Sequence, residues 1–195
     1  MNWEIGELLM DDLKIIESCL LGNKNNFSRL IDKYKNMVYN LAYRMCNNSQ
    51  EAQDISQESF LRTYQSLNRF NPNYKFSTWL YQITLNIIRD RFKKKMFKPT
   101  SFDAPIASND SNYFLQPTDS KHDPEEILTK QEKAYHVQQA ILSLPLKYRE
   151  VTILRHLQDL SYIEIANILK VPTGTVKIRL YRAREQLREI LKENE

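Results

Sequence analysis

Apolar residues recur along this chain at three- and four-residue steps, the spacing of one face of an α-helix. From Asn25 to Asn48 the steps run through Phe27, Leu30, Ile31, Tyr34, Val38, Leu41, Ala42 and Met45. Asn47-Asn48-Ser49 interrupts them, and Ser49 is the expected cap of a second helix. Ala52, Ile55, Phe60, Leu61, Tyr64 and Leu67 carry that helix to Asn68. Asn71-Pro72-Asn73 reads as a turn, and Ser77 can cap a third helix ending in Lys93-Lys94-Lys95. This third helix bears two stripes. Tyr81, Leu85, Ile88 and Phe92 form one, which faces the core. Trp79, Ile83, Asn86 and Asp90 form the other, falling within about 60° of one another.

The stretch from Met96 to Glu125 breaks all periodicity and holds four of the seven prolines. It predicts a linker over 96–123 between a domain at 10–95 and another at 124–195. The second domain opens with Asp123-Pro124-Glu125-Glu126, an N-cap, a proline at the first helical position and early acids. Leu144-Pro145 ends that helix and starts the next, which carries Val151, Leu154 and Leu157. Two further helices fall near Ser161–Leu169 and Thr173–Leu191. There is no alternating strand pattern, so the expected fold is all-α, two helical domains joined by a flexible linker.

Composition narrows the class without naming a function. The 195 residues are 42% hydrophobic, enough for packed cores, and contain three glycines, too few for a fold rich in tight hairpins. No apolar run is long enough to span a bilayer, and the acidic start, MNWEIGELLMDD, lacks the form of a signal peptide. Cys19 and Cys46 form no metal or disulfide pattern, which fits a reducing cytoplasm. His122, His136 and His156 lack metal-ligand spacing, and no phosphate loop, HExxH or GxSxG motif occurs. No catalytic residue, metal or cofactor is therefore expected.

Charge placement says more than the net +4. Phe70–Lys95 carries six bases and one acid, and Lys170–Arg188 six bases and one acid. Two such patches would let one chain grip a polyanion twice, although favourably charged, solvated helix ends would look the same. Around the second patch, Ser161 and Glu164 make a capping box, Ile165, Ala166 and Leu169 an inner face, and Leu169-Lys170-Val171-Pro172 a short turn with Val171 as its buried anchor. On the next helix Val176, Leu180, Ala183, Leu187 and Leu191 share one stripe. The opposite side presents Gly174, Lys177, Ile178, Tyr181, Arg182 and Glu185, with Arg179 and Arg184 on the flanks. This is a helix-turn-helix whose second helix could contact base edges in a major groove. A basic helical hairpin is the alternative. On the third helix, the Trp79-Ile83-Asn86 face beside Phe70 and Phe76 could hold unstacked bases, or could be core.

Three motifs in register, Asp54-Ile-Ser-Gln57-Glu58-Ser-Phe60, Phe76-Ser-Thr78-Trp79-Leu80-Tyr81-x-Ile83-x-x-Asn86 and Pro172-x-Gly174-Thr175-Val176-Lys177-x-Arg179-Leu180-x-Arg182-Ala183-Arg184, resemble the bacterial extracytoplasmic-function (ECF, group 4) RNA polymerase sigma factors, of the sigma-W-like branch. The resemblance implies that residues 10–95 are sigma region 2 and 124–195 sigma region 4. It implies core-polymerase binding through Asp54, Gln57, Glu58 and Phe60, and single-stranded −10 binding through Ser66, Phe70, Asn73, Lys75, Trp79, Ile83 and Asn86. Duplex −35 binding falls to Thr175, Lys177, Ile178, Arg179, Tyr181, Arg182 and Arg184. The implied partners are core RNA polymerase, promoter DNA and an anti-sigma factor, with no membrane insertion and a cytoplasmic location. Lys170 stands where relatives often carry Gly or Asn, and Ile178 where several carry a small polar residue. A free-standing helix-turn-helix regulator, which would bind duplex without polymerase, is the second reading; an enzyme is the third.

Overall fold

The computed structural model describes the backbone of residues 2–97 and 124–192 and the side chains of 11–95 and 133–192. Eight α-helices follow one another without a strand among the described residues: α1 Asn2–Leu20, α2 Phe27–Cys46, α3 Ser49–Gln65, α4 Phe76–Phe97, α5 Pro124–Ser143, α6 Leu146–His156, α7 Tyr162–Leu169 and α8 Thr173–Lys192. α1 was not anticipated, and α4 runs two residues past the boundary drawn at 95. The expected linker is 96–123, and its remaining residues 98–123, with the Asp123 cap, lie outside the described residues.

The expected apolar stripe of α2 is buried at Phe27, Leu30, Val38, Leu41, Ala42 and Met45. Its end differs from expectation by one residue. Asn47 adopts the left-handed conformation (φ 51°), and Asn48, not Ser49, caps α3 by accepting the Glu51 N–H at 2.8 Å. Asparagine suits both tasks, since its short amide tolerates left-handed backbone and accepts from free helix amides. The buried hydroxyls of Ser59, Thr63 and Thr84 donate to the carbonyls of Ile55, Ser59 and Leu80, so no polar group is stranded there.

α4 is the axle of the molecule, packing against α2, α3 and α7. Phe76, Leu80, Tyr81, Leu85, Ile87 and Ile88 are all buried. A helix with neighbours on several sides must be apolar on several sides, which is why its sequence shows two stripes. One continuous apolar cluster holds Leu41, Met45, Tyr81, Leu85 and Ile88 together with Ile141, Val151, Leu154, Ile165 and Leu169. The α1–α4 and α5–α8 halves thus pack on one another. Polar contacts reinforce this seam. Arg149 donates to the Met45 carbonyl at 3.0 Å and lies over the Phe92 ring, and Gln138 donates to the Arg44 carbonyl at 3.0 Å.

In the second half, Ser161 and Glu164 form the expected capping box of α7. α7 ends at Lys170, whose φ of 54° places a lysine in left-handed backbone. Val171 is only half-buried, so Ile165, Ile168, Leu169 and Val176 anchor the turn instead.

Candidate nucleic-acid interface

The first candidate surface is built by α3, α4 and the loop between them. Phe70 sits in extended backbone (ψ 130°), where the chain leaves a short 3₁₀ turn at Leu67–Arg69. Its ring meets Phe76 edge-on at 5.8 Å and Trp79 at 5.3 Å, while Phe76 meets Tyr34 at 5.4 Å. This aromatic stack anchors the loop base and leaves Asn71, Pro72, Asn73, Tyr74 and Lys75 exposed. The loop is held by the Tyr74 N–H donating to the Asn71 carbonyl at 3.1 Å and the Asn73 N–H to the Asn71 side chain at 3.0 Å.

Ser66, Ile83 and Asn86 come together in one open recess of about 390 Å³, lined also by Arg62, Gln65 and Arg69. Asn86 is exposed, its Oδ1 accepting from Arg89 at 3.2 Å. That bond fixes the amide plane and leaves the NH2 group for a base edge. The expected stripe of Trp79 and Ile83 is half-buried, neither sealed nor free. Phe70 and Trp79 line a different cavity, of about 650 Å³, so the seven expected residues divide between two recesses and a loop. Arg69 lines both recesses, and sequence reasoning passed over it because it lies one residue before the basic stretch counted from Phe70.

On α3, Asp54 and Gln57 are exposed. Glu58 is half-buried between Arg62 at 2.6 Å and Arg91 at 2.7 Å, and the Arg91 hydrogen bond holds its carboxyl below the usual carboxylate range against the opposing effect of burial. Phe60 lies inward of these three residues. It is 7% exposed and packs with Ile16, Phe27 and Leu30, so it lies beneath this face and cannot be part of its surface. Leu61, one position on and 56% exposed, shares the face of Asp54 and Gln57 at helical spacing.

The second candidate surface is α8. Val176, Leu180 and Ala183 are buried, and Lys177, Ile178, Tyr181, Arg182 and Arg184 are exposed, as expected from helical angle. Ile178 and Tyr181 are 56% and 65% exposed, unusual for residues of their type and suited to contact with a base edge or methyl group. Arg182 lies beside the Tyr148 hydroxyl, which it holds below the usual tyrosine range. Thr175 is half-buried at the helix start. Arg179 departs from the set: it is half-buried in a recess shared with Arg89, Lys93, Lys147 and Glu150, turned toward the seam. Lys177 lines a recess of about 430 Å³ with Arg155, Ser161 and Thr173, which lie on three separate segments and so showed no sequence pattern. These cations, hydroxyls and the α8 start can take backbone phosphates while the outer face takes bases.

Both halves of the chain match known proteins. Residues 30–97 match the family model for Sigma-70 region 2, and residues 136–187 that for Sigma-70, region 4. The chain is 42% identical to the ECF RNA polymerase sigma factor SigW of Bacillus subtilis, over 92% of this chain and 96% of that protein. It is 32% identical to the RNA polymerase sigma-H factor of Pseudomonas aeruginosa, over 92% of this chain and 93% of that one. Its fold is similar to CnrH, solved with the cytosolic domain of CnrY (TM-score 0.66, 20% identity, 93% of this chain and 97% of that one). It is also similar to the sigma factor RpoE of Bartonella quintana, solved with the anti-sigma factor NepR (TM-score 0.64, 21% identity, 86% and 97%). With both regions matched in order, and a relative 42% identical over nearly its whole length, the chain belongs to the ECF sigma factors of the sigma-70 family.

Proposed function

We propose that this chain is a non-catalytic, promoter-selecting subunit of RNA polymerase, acting in the cytoplasm. Residues 10–95 act as region 2 and residues 124–195 as region 4, with 96–123 as the tether between them. Asp54, Gln57 and Glu58, with Leu61 at their centre, dock on core polymerase. Ser66, Ile83 and Asn86 take an unstacked base of the −10 strand, with Phe70 and Trp79 stacking beside it and Asn73 and Lys75 closing over it. Lys177, Ile178, Tyr181 and Arg182 read the −35 duplex, with Thr175 and Arg184 on its phosphates and Arg179 at the edge. An anti-sigma factor is the expected regulator, as for the RpoE neighbour.

The observation that carries this reading is the pairing of two unlike surfaces. Ser66, Ile83 and Asn86 converge in a recess sized for an opened strand, while α8 displays an outward face suited to intact duplex. Reconstitution with core polymerase over a promoter library tests it. Initiation at a subset of promoters is expected. Tight duplex binding without polymerase, and no initiation with it, would favour a free-standing regulator.

A further inference from the structure

No described residue of α1 lines either recess, and the region 2 family match begins at residue 30, after this helix has ended. Yet α1 is fastened to the base of the loop after α3 in two ways. Ile15 and Ile16 are buried in the apolar cluster that also holds Leu67, Phe76 and Leu80, and α1 packs on the 3₁₀ turn Leu67–Arg69 from which Phe70 emerges. The second fastening is polar. Asp12 is 4% exposed, and each of its carboxylate oxygens has a donor: the Lys33 ammonium at 2.5 Å on Oδ1 and the Tyr34 hydroxyl at 2.5 Å on Oδ2. Burial first, and Asp12 second, hold the Tyr34 hydroxyl above the usual tyrosine range, so it stays a donor. The Tyr34 ring meets Phe76 at 5.4 Å, and Phe76 meets Phe70 at 5.8 Å and Trp79 at 6.0 Å.

We infer that Asp12 and Tyr34 are positioning residues for strand capture, through which α1 aims the Phe70–Trp79 pair by a relay from carboxylate to hydroxyl to ring. The inference rests on the function proposed above. Holding α1 in place does not need a charge, since a well-packed apolar side chain at position 12 would hold it as well or better. An apolar side chain cannot fix a hydroxyl. The bond to Oδ2 sets the depth and tilt of the Tyr34 ring. Phe76, 1% exposed, has no room to settle differently against it, because close-packed rings have few alternative arrangements. Phe76 opens α4 and touches both rings of the pair, so it hands the constraint to the loop. Asp12 is buried and touches no base; it acts through Tyr34 and Phe76. A base stacking on Phe70 and Trp79 then meets rings that are already ordered, and binding does not bear the entropy of ordering them.

Tyr34→Phe, which keeps the ring and removes the hydroxyl, tests this in the full chain with core polymerase. Strand opening, read by permanganate reactivity, should fall about three- to tenfold, while the −35 footprint of the closed complex stays unchanged. In a Trp3→Phe background, which leaves Trp79 as the single tryptophan, the same change should shift Trp79 emission in the free chain. Unchanged opening, unchanged emission, or an equal loss of opening and footprint would each overturn the inference. Asp12→Leu keeps an apolar fill against Ile15 and Ile16 and removes the acceptor, with Lys33, 25% exposed, within reach of water. It should show the same loss of opening, and it is read alone if Tyr34→Phe does not fold. Adding Tyr34→Phe to it should cost nothing more; additive losses would show that the two residues act separately and would overturn the relay. If the unaltered chain initiates at no promoter, the proposed function fails, and Trp79 emission still decides whether the Asp12–Tyr34 bond sets the aromatic pair.

Discussion

Arg89 and Glu150, on helices of opposite halves, meet through two parallel hydrogen bonds of 2.6 and 2.9 Å. Glu150 is 2% exposed, and this bond raises the Arg89 pKa against the opposing effect of burial. Removing one partner leaves a buried charge alone, which costs about 3–5 kcal/mol unless the seam opens and readmits water. Arg89→Met should therefore destabilise the chain to urea by no more than the seam is worth, with a smaller loss when Glu150→Leu is added. A double variant weaker than the sum of both singles would contradict the pairing.

Asn86→Ala should slow strand opening with little effect on the initial duplex complex. Loss of an amide reading a base edge is worth about 1–3 kcal/mol. Permanganate reactivity of unpaired thymines reports opening, and footprinting of the −35 element reports the closed complex. Equal loss in both would place Asn86 outside strand capture.

Arg182 is held beside Tyr148 on the outer side of α8. If it reads a base, Arg182→Ala should weaken holoenzyme binding by about 1–3 kcal/mol at the cognate −35 element and relax preference at one position. A uniform loss over all sequences, with a shallower salt dependence, would instead assign Arg182 to a phosphate.

Gly174 has ordinary helical backbone, and a Cβ placed there meets nothing within 4 Å. The fold does not need glycine at this site. Gly174→Ala should raise stability by about 0.5–1 kcal/mol through helix propensity. If DNA backbone approaches the start of α8, the same change should weaken −35 binding. Thermal melting and a binding titration read the two effects, and unchanged binding would show that DNA keeps its distance.

Lys170 ends α7 with φ at 54°, a conformation that costs a side chain about 1–2 kcal/mol. Lys170→Gly should stabilise the second half by somewhat less, about 0.5–1 kcal/mol, since glycine also gains freedom when unfolded. The thermal midpoint should rise; a fall would mean that the lysine stem packs usefully against the turn.

Local patterns carried most of the fold. The stripes of α2 and α8 and the Ser161–Glu164 box depend on residues a turn or two apart, and each stands as read. One-residue errors arose where chemically similar neighbours compete: Asn48 and Ser49 can both cap, and geometry chose Asn48. Phe60 and Leu61 are adjacent apolar residues, and the cluster of Ile15, Ile16, Phe27 and Leu30 took the ring inside while Leu61 stayed exposed. The seam was illegible because its contacts join residues 61 to 104 positions apart, such as Arg89 with Glu150 and Arg149 with Met45. No short-range spacing encodes them. The recess at Asn86 was legible in part, since Ile83 and Asn86 lie on one helix, whereas Arg62, Gln65 and Arg69 enter from α3 and the 3₁₀ turn.

Asn86 and Arg89 lie one turn apart on α4 and are hydrogen-bonded to each other, and Arg89 also grips Glu150. The residue proposed to face an unstacked base and the residue that bridges the two halves are therefore adjacent links in one chain of bonds. If Asn86 reads the −10 strand, a lineage that altered its −10 alphabet there would disturb the Arg89–Glu150 bond as a side effect. On that reading, promoter preference and the joining of the two halves share one inheritance, and drift in one calls for a compensating change in the other.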